Sequence, residues 1–338
     1  MIRWKLAIVT PFLSIYWSSL MSRWFTVASI IAAFLVSSAN YAVAGPYRLV
    51  MQGNNKLAIV NPEGKIEWEM PWGGIHDIHV LNNGHIMVQQ GAAKVAEIDP
   101  ETKKVVWSYD SAKSNGNAGK RVEVHAFQPL EDGRVMIVES GAGRIIEIDQ
   151  DGKLLKEIPL KRDHPDAHSD TRLVRKQENG NYLVAQESDG FIREYDGKSG
   201  EIVWEYEVPL FGQEPRGGHG PEAFGNKAFS AVRLKNGNTL IATGNGHSVI
   251  EVTPAKEIVW KITQNELPGI TLAWVTTLEV LPNGHYMIGN CHAGPDNPLL
   301  VEVDPKTKKV VWTFDQYDVF GNSAPNSQLL DVDGDVVR

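Results

Sequence analysis

Short runs rich in apolar and β-branched residues follow one another through most of the chain, each closed by a polar pair that contains glycine. The segment RLKNGNTLIAT at 233–243 shows the unit, with Leu234 on one side of Asn236-Gly237 and Leu240 and Ile241 on the other. Runs this short between turn residues predict strands, and Asn-Gly between two of them predicts a tight hairpin of type I′, with both central residues at positive φ. The pair recurs as Asn83-Gly84, Asp132-Gly133, Asn179-Gly180, Asn283-Gly284 and Asp333-Gly334. After each of the first five turns comes a second strand, such as HIMVQQ, RVMIVES or HYMIGNCH. A third follows, such as KVAEIDPET or LLVEVDPKT, and beyond a polar turn a fourth, such as VVWSY, LLKEI or VVWTF. Four short strands in a period of roughly fifty residues predict a β-propeller blade.

The two ends complete each other. YRLVMQG, KLAIVNPEG and KIEWEM match the second, third and fourth strands of a blade with no first strand before them, and NSQLLDVDG near the other end matches a first strand. Joined, they make one blade, and closing the ring this way leaves no blade edge unpaired. The expected fold is therefore all-β: a six-bladed β-propeller, four antiparallel strands per blade, with Gln328 to Leu330 lying alongside Arg48 to Met51. Five blades carry tryptophan at one fourth-strand position, Trp68, Trp107, Trp204, Trp260 and Trp312, where the third blade has Lys156. Large aromatics at a sheet-on-sheet contact are expected to pack between blades.

Units such as IDPETKKVVWSY, YDGKSGEIVWEY and VDPKTKKVVWTF resemble the tryptophan-docking repeat of quinoprotein-like (PQQ-type) propellers, over residues 47–334. First halves such as HDIHVLNNGHIMV are also similar to repeats of bacterial arylsulfotransferases, a six-bladed propeller family. The resemblance implies architecture more than chemistry, because turn and packing residues carry it. Quinoprotein dehydrogenases have eight blades and a vicinal cysteine pair beside the quinone, whereas this chain has Cys291 alone, so pyrroloquinoline quinone is not expected. The arylsulfotransferase likeness implies funnel histidines and an arginine, and no arginine here matches that position.

Composition changes the picture at the N-terminus. Met21-Ser22-Arg23-Trp24, the apolar run Phe25 to Val36 and the small residues Ala42-Val43-Ala44 have the layout of a secretory signal peptide. We expect residues 1–44 to be that signal, with Met21 an alternative start of translation and cleavage after Ala44, and residues 45–338 to form one propeller domain in a secreted or periplasmic protein. Loss of Arg3, Lys5 and Arg23, with no acid, takes the formal charge from −8 to −11. A chain that acidic is a poor partner for nucleic acid. No stable membrane span is expected after processing, and a monomer is.

Candidate chemistry gathers where loops and inner strands meet. His76, His125 and His168 sit near the starts of first strands and are the candidate catalytic groups, as acid/base residues or as polar lining of the channel. Asp77 and Asp170 accompany them. DHPDAHSD at 163–170 offers His164, Asp166, His168 and Asp170 as possible ligands for a divalent metal, although spacing alone does not assign one and no cofactor is expected. The long connection FGQEPRGGHGPEAFGNK at 211–227 supplies Arg216, His219 and Glu222 and could cover the funnel as a lid. Asn245 and His247 in one loop, and Asn290 and His292 beside an inert Cys291 in another, face the same mouth. Trp274, Phe229 and Trp72 are candidate walls. His85 and His285, next to hairpin glycines, are expected to be surface residues. Three readings follow: a module that binds a small polar molecule, glycan or peptide at the funnel; a transferase or lyase working through its histidines; or a scaffold for an envelope protein.

Overall fold

The computed structural model of the chain describes residues 46–338; the export segment read at residues 1–44 lies outside them. The described residues form six four-stranded antiparallel sheets, and five of them follow chain order. The sixth joins Ser327–Leu330 to Arg48–Gly53, Lys56–Val60 and Ile66–Pro71. Its register pairs Arg48 with Leu330, Leu49 with Leu329, Val50 with Gln328 and Met51 with Ser327, so the ring closes as the strand order predicts.

Burial falls from the middle of each blade to its rim. The second strand of the fourth blade, Tyr182–Gln186, is buried throughout, whereas a fourth strand such as Ile66–Pro71 alternates half-buried and exposed positions. The middle strands pack between two neighbouring sheets and need apolar residues on both faces. The outermost strand has one packed face and a free edge, which its sequence meets with lysine and glutamate. The core lies between blades: Leu183, Ala185 and Ile192 pack with Ala231, Ile241 and Ile250 of the next sheet. The tryptophans fasten these contacts. Trp68, Trp107, Trp204 and Trp260 donate their indole N–H to the carbonyls of Pro100, Gln150, Pro254 and Pro305, each on the next blade, at 2.7–3.1 Å. Where the third blade has Lys156, the ammonium lies 5.2 Å from the Tyr182 ring of its neighbour and makes a cation–π contact instead.

The hairpins depart from the type I′ expectation. Only Asp132-Gly133 puts both residues of the pair at positive φ, 68° and 80°; in the other five the glycine alone does so. At Leu81–His85, the Gly84 N–H donates to the Leu81 carbonyl and the Leu81 N–H to the His85 carbonyl. That is a three-residue loop, a type I turn followed by a left-handed glycine. The asparagine serves through its side chain. Oδ1 of Asn83, Asn179, Asn236 and Asn283 accepts the N–H two residues on, at 2.9–3.0 Å. An Asx bond, and not tolerance of positive φ, is what selects Asn at these turns. His85 and His285, just beyond, pair with Glu97 at 2.6 Å and Glu302 at 2.7 Å on the third strands of the same blades.

Candidate functional site

The innermost strands, Ser327–Leu330, Ile78–Val80, Glu123–Pro129, Val174–Lys176, Ser230–Arg233 and Trp274–Val280, surround the axis. Where the inner strand is short, as at Ile78–Val80 and Val174–Lys176, the chain before it turns over one mouth, and the polar groups collect there. His76, His125 and His168 converge: ring centroids lie 4.5 Å apart for His76 and His125, 5.5 Å for His125 and His168, and 6.3 Å for His76 and His168. His125 is the extra residue of a bulge, since the register with the second strand skips it between Val124 and Ala126. Bulges re-aim side chains, and this one places a buried imidazole at the axis.

Burial, with His125 and Arg172 beside it, holds the His76 imidazole well below its usual value near 6.5, so it is neutral at neutral pH. His125 is also lowered, chiefly by burial. Gln89 accepts from the His76 backbone N–H at 2.9 Å and lies 3.1 Å from its Nδ1, which fixes the ring. Glu123, two residues before His125 on the strand, lies 3.3 Å from His125 Nε2 and 2.8 Å from His168 Nδ1. Those contacts, the His125 hydrogen bond foremost, keep its carboxyl ionised. Arg172, almost wholly buried, donates to the His168 carbonyl, approaches His125 Nδ1 at 3.1 Å and pairs with buried Glu187. Lys227 reaches Glu187 from the other side at 3.6 Å.

Opposite the histidines is an aromatic wall. The 211–227 connection is built as a small hairpin, Arg216 and Phe224 exchanging backbone hydrogen bonds of 2.8 and 2.9 Å, with His219 near its tip. His219 stacks on Trp274 at 5.0 Å and approaches His292 at 5.1 Å. Burial, with His219 next to it, lowers the His292 pKa. Between the two walls lies a cavity of about 290 Å³, lined on one side by His76, His168, Arg172 and Glu187 and on the other by His219, Trp274 and His292, with Phe229 buried beneath.

Other residues singled out in the sequence stand elsewhere. Asp77 is buried deeper, in a bidentate pair with Arg175 at 2.8 and 2.9 Å. Asp170 accepts from the backbone N–H of Gly141 and Asp166 and from Arg162, holding loops together. Asp166 accepts from the N–H of His168 and Ser169, and His164 pairs with Asp189 at 3.3 Å, so the four polar side chains of 164–170 do not meet at one point. Both ring nitrogens of buried His247 face carbonyls, Ala273 at 2.7 Å and Ala223, which ties the 211–227 hairpin to an inner strand. Asn245 Oδ1 accepts the Lys227 N–H, and Asn290 bridges Ala273, Thr271 and Pro298. Arg216 lies over Phe224 with its Nε donating to the Glu222 carbonyl, and Trp72 donates to Gln89. Cys291 is buried, which pushes its thiol up to about 12. Glu123, Arg172, Glu187 and Lys227 were missed by the sequence reading. The Glu-x-His spacing of 123 and 125, same-side on a strand, was the available signal.

A larger cavity, about 700 Å³, opens between the first and second blades beside Trp68, Ile86 and Leu329. Among the described residues its one cation, Arg48, already pairs with Glu67 and Asp331, and no imidazole lines it, so the smaller mouth is the better candidate. Among the described residues no helix is long and apolar enough to cross a membrane.

A family model of PQQ-like repeats, described as outer membrane protein assembly factor BamB, matches residues 53–314. No curated protein matches the chain. Among solved structures, a protein of unknown function from Bacteroides caccae is 24% identical, covering 85% of this chain and 100% of its own, with a TM-score of 0.69. A streptogramin B lyase is 13% identical over 86% of this chain and 95% of its own, TM-score 0.53. Virginiamycin B lyase from Staphylococcus aureus, in a catalytically inactive form with quinupristin, is 15% identical over 81% and 86%, TM-score 0.50. At such identities these likenesses speak for the fold alone.

Proposed function

The chain belongs to the PQQ-like repeat family whose model is described as outer membrane protein assembly factor BamB, and from there we propose that it binds a small polar molecule with an apolar or aromatic face at the histidine-lined mouth of the channel. One observation carries this reading: imidazoles, a guanidinium and an ammonium line a single cavity of about 290 Å³ together with Trp274 and, beneath, Phe229. Ligand pockets start near 300 Å³ and combine apolar walls with a few convergent polar groups. A cavity at that lower bound suits a compact molecule better than a glycan chain or a folded partner. Arg172 and Lys227 share the one carboxylate of Glu187, which leaves a net positive charge at the polar end and favours an anionic group there, and the His219–Trp274 pair favours a planar one at the other. No quinone is part of the reading, because the donors at the mouth are imidazole and carboxylate and the sole thiol is buried.

The test is a thermal-shift screen of residues 45–338 against aromatic carboxylates, aryl sulfates and sugars, repeated on Lys227→Met and His219→Ala. Both side chains are exposed, so the variants should fold. A hit that stabilises the unaltered chain and loses most of its shift in both variants supports the reading; shifts unchanged in both contradict it. A second, catalytic reading has its own support in His76 and His125, whose ring centroids lie 4.5 Å apart at the mouth and whose pKa values burial lowers, so both imidazoles are neutral bases at neutral pH, as lyase or transfer chemistry needs. Turnover of such a hit, abolished in His76→Ala, would favour it. The export segment and the family's description together support a periplasmic location, which fractionation of the full chain would check.

A further inference from the structure

The third blade brings together two imidazoles and a carboxylate in an arrangement that goes beyond small-molecule recognition. Glu123, His125 and His168 each offer a ligand atom, and these atoms all lie within 4.8 Å of one another. From Glu123 Oε2 the distances are 3.3 Å to His125 Nε2 and 2.8 Å to His168 Nδ1. A tetrahedral ion bound at about 2.0–2.1 Å sets its ligands roughly 3.3 Å apart, so the Glu123–His125 edge already has that length. The Glu123–His168 edge is about half an ångström shorter than that and the His125–His168 edge lies within 4.8 Å, and His168, exposed on a loop, is the ligand that can move to close the set.

From this we infer that Glu123, His125 and His168 form a site for a divalent transition-metal ion of the zinc class, open to the channel mouth. Two nitrogens and one carboxylate oxygen with a vacant fourth position are the donor set of reactive zinc centres. The surroundings also have the form such centres need. His125 Nδ1 lies 3.0 Å from the Thr171 carbonyl, a contact that turns Nε2 toward the other two ligands. Glu123 Oε1 accepts from Arg121 at 2.7 Å, and Arg172 holds the His168 backbone. Arg172 stands close to the site, its Nη1 3.5 Å from His125 Nε2, and its charge is offset by Glu187, which pairs with its Nε. On the cavity side, His76 has its Nδ1 at Gln89, and its Nε2 has no partner among the described residues, which leaves a lone pair beside the fourth position. The site uses His168 but neither His164 nor Asp166, whose side chains are engaged elsewhere.

The experiment uses residues 45–338, stripped with chelator and dialysed against zinc, with bound metal measured by mass spectrometry, and cobalt as the spectroscopic probe. We expect about one zinc per chain, and with cobalt the intense visible bands of a four-coordinate ion. His168→Gln and Glu123→Gln should each weaken zinc binding by 10-fold or more and remove the cobalt bands. His164→Gln and the remote turn variant His285→Gln should change neither. His168 is exposed, so its variant keeps the fold, and circular dichroism of Glu123→Gln guards against a folding artefact. Absence of stoichiometric zinc, or binding that survives both ligand variants, overturns the site. So does binding lost in His164→Gln. Ligand shifts in the screen above, measured with chelator present, separate failure of this site from failure of the pocket.

Discussion

At the residue scale, the channel shows how burial sets charge. His79 is buried, its Nε2 donating to the Phe127 carbonyl at 2.8 Å, and burial lowers its pKa to about 4 despite the nearby Asp77. The unfolded chain binds a proton at His79 below about 6.5 and the folded chain only below about 4, so this residue costs stability as pH falls through that window. The full effect is up to about 3 kcal/mol for a shift of this size. Glu279 has the opposite sign: burial raises its pKa to about 7, so it favours the folded state as pH falls toward the ordinary carboxylate value. We expect His79→Gln to lose less stability than the unaltered chain between pH 6.5 and 4, measured by urea unfolding. Equal losses in both would show that His79 does not titrate as described. The sequence put His76, His125 and His168 at one mouth because a propeller's strand order sorts its loops. It could not show Arg172 or Glu187, whose roles depend on which rotamer crosses between blades.

At the element scale, the fourth strand docks each blade on the next, and the indole N–H is the fastener. Trp312 tests its worth. Four tryptophans donate to a carbonyl of the following blade, whereas Trp312 meets the ring-closing blade at Tyr47, 5.2 Å away and edge-on, and its Nε1 has no acceptor among the described residues. Tryptophan to phenylalanine at 68 or 260 should therefore cost about 1 kcal/mol more than the same change at 312, the usual net value of one hydrogen bond. Chemical denaturation of the three variants measures it, and equal costs would contradict the docking role. The repeat made these positions legible, since the same residue returned at the same place in five blades. Turn type was not legible, because Asn-Gly suits both a two-residue I′ turn and a type I turn with an Asx bond. Only the strand spacing across Leu81–His85 chooses between them.

At the scale of the whole molecule, the ring holds because one strand from near the end of the chain completes the sheet begun at Arg48. Removal of residues 327–338 should expose the Arg48–Gly53 edge and replace one cooperative melting transition with a broad or lower one, and adding the segment back as a peptide should recover part of it. A truncated chain that melts as sharply and as high as the intact one would contradict closure by this strand. Closure is also what brings loops from distant parts of the sequence to one mouth, with Ser323 and Pro325 beside His76 and His168. The binding reading rests on that shared mouth. Hydrogen–deuterium exchange of residues 45–338, with and without the strongest hit from the thermal screen, tests it most directly. Protection should concentrate in 164–172, 216–227 and 289–294. Protection confined to 66–71 and 327–336, around the larger cavity between the first two blades, would contradict it.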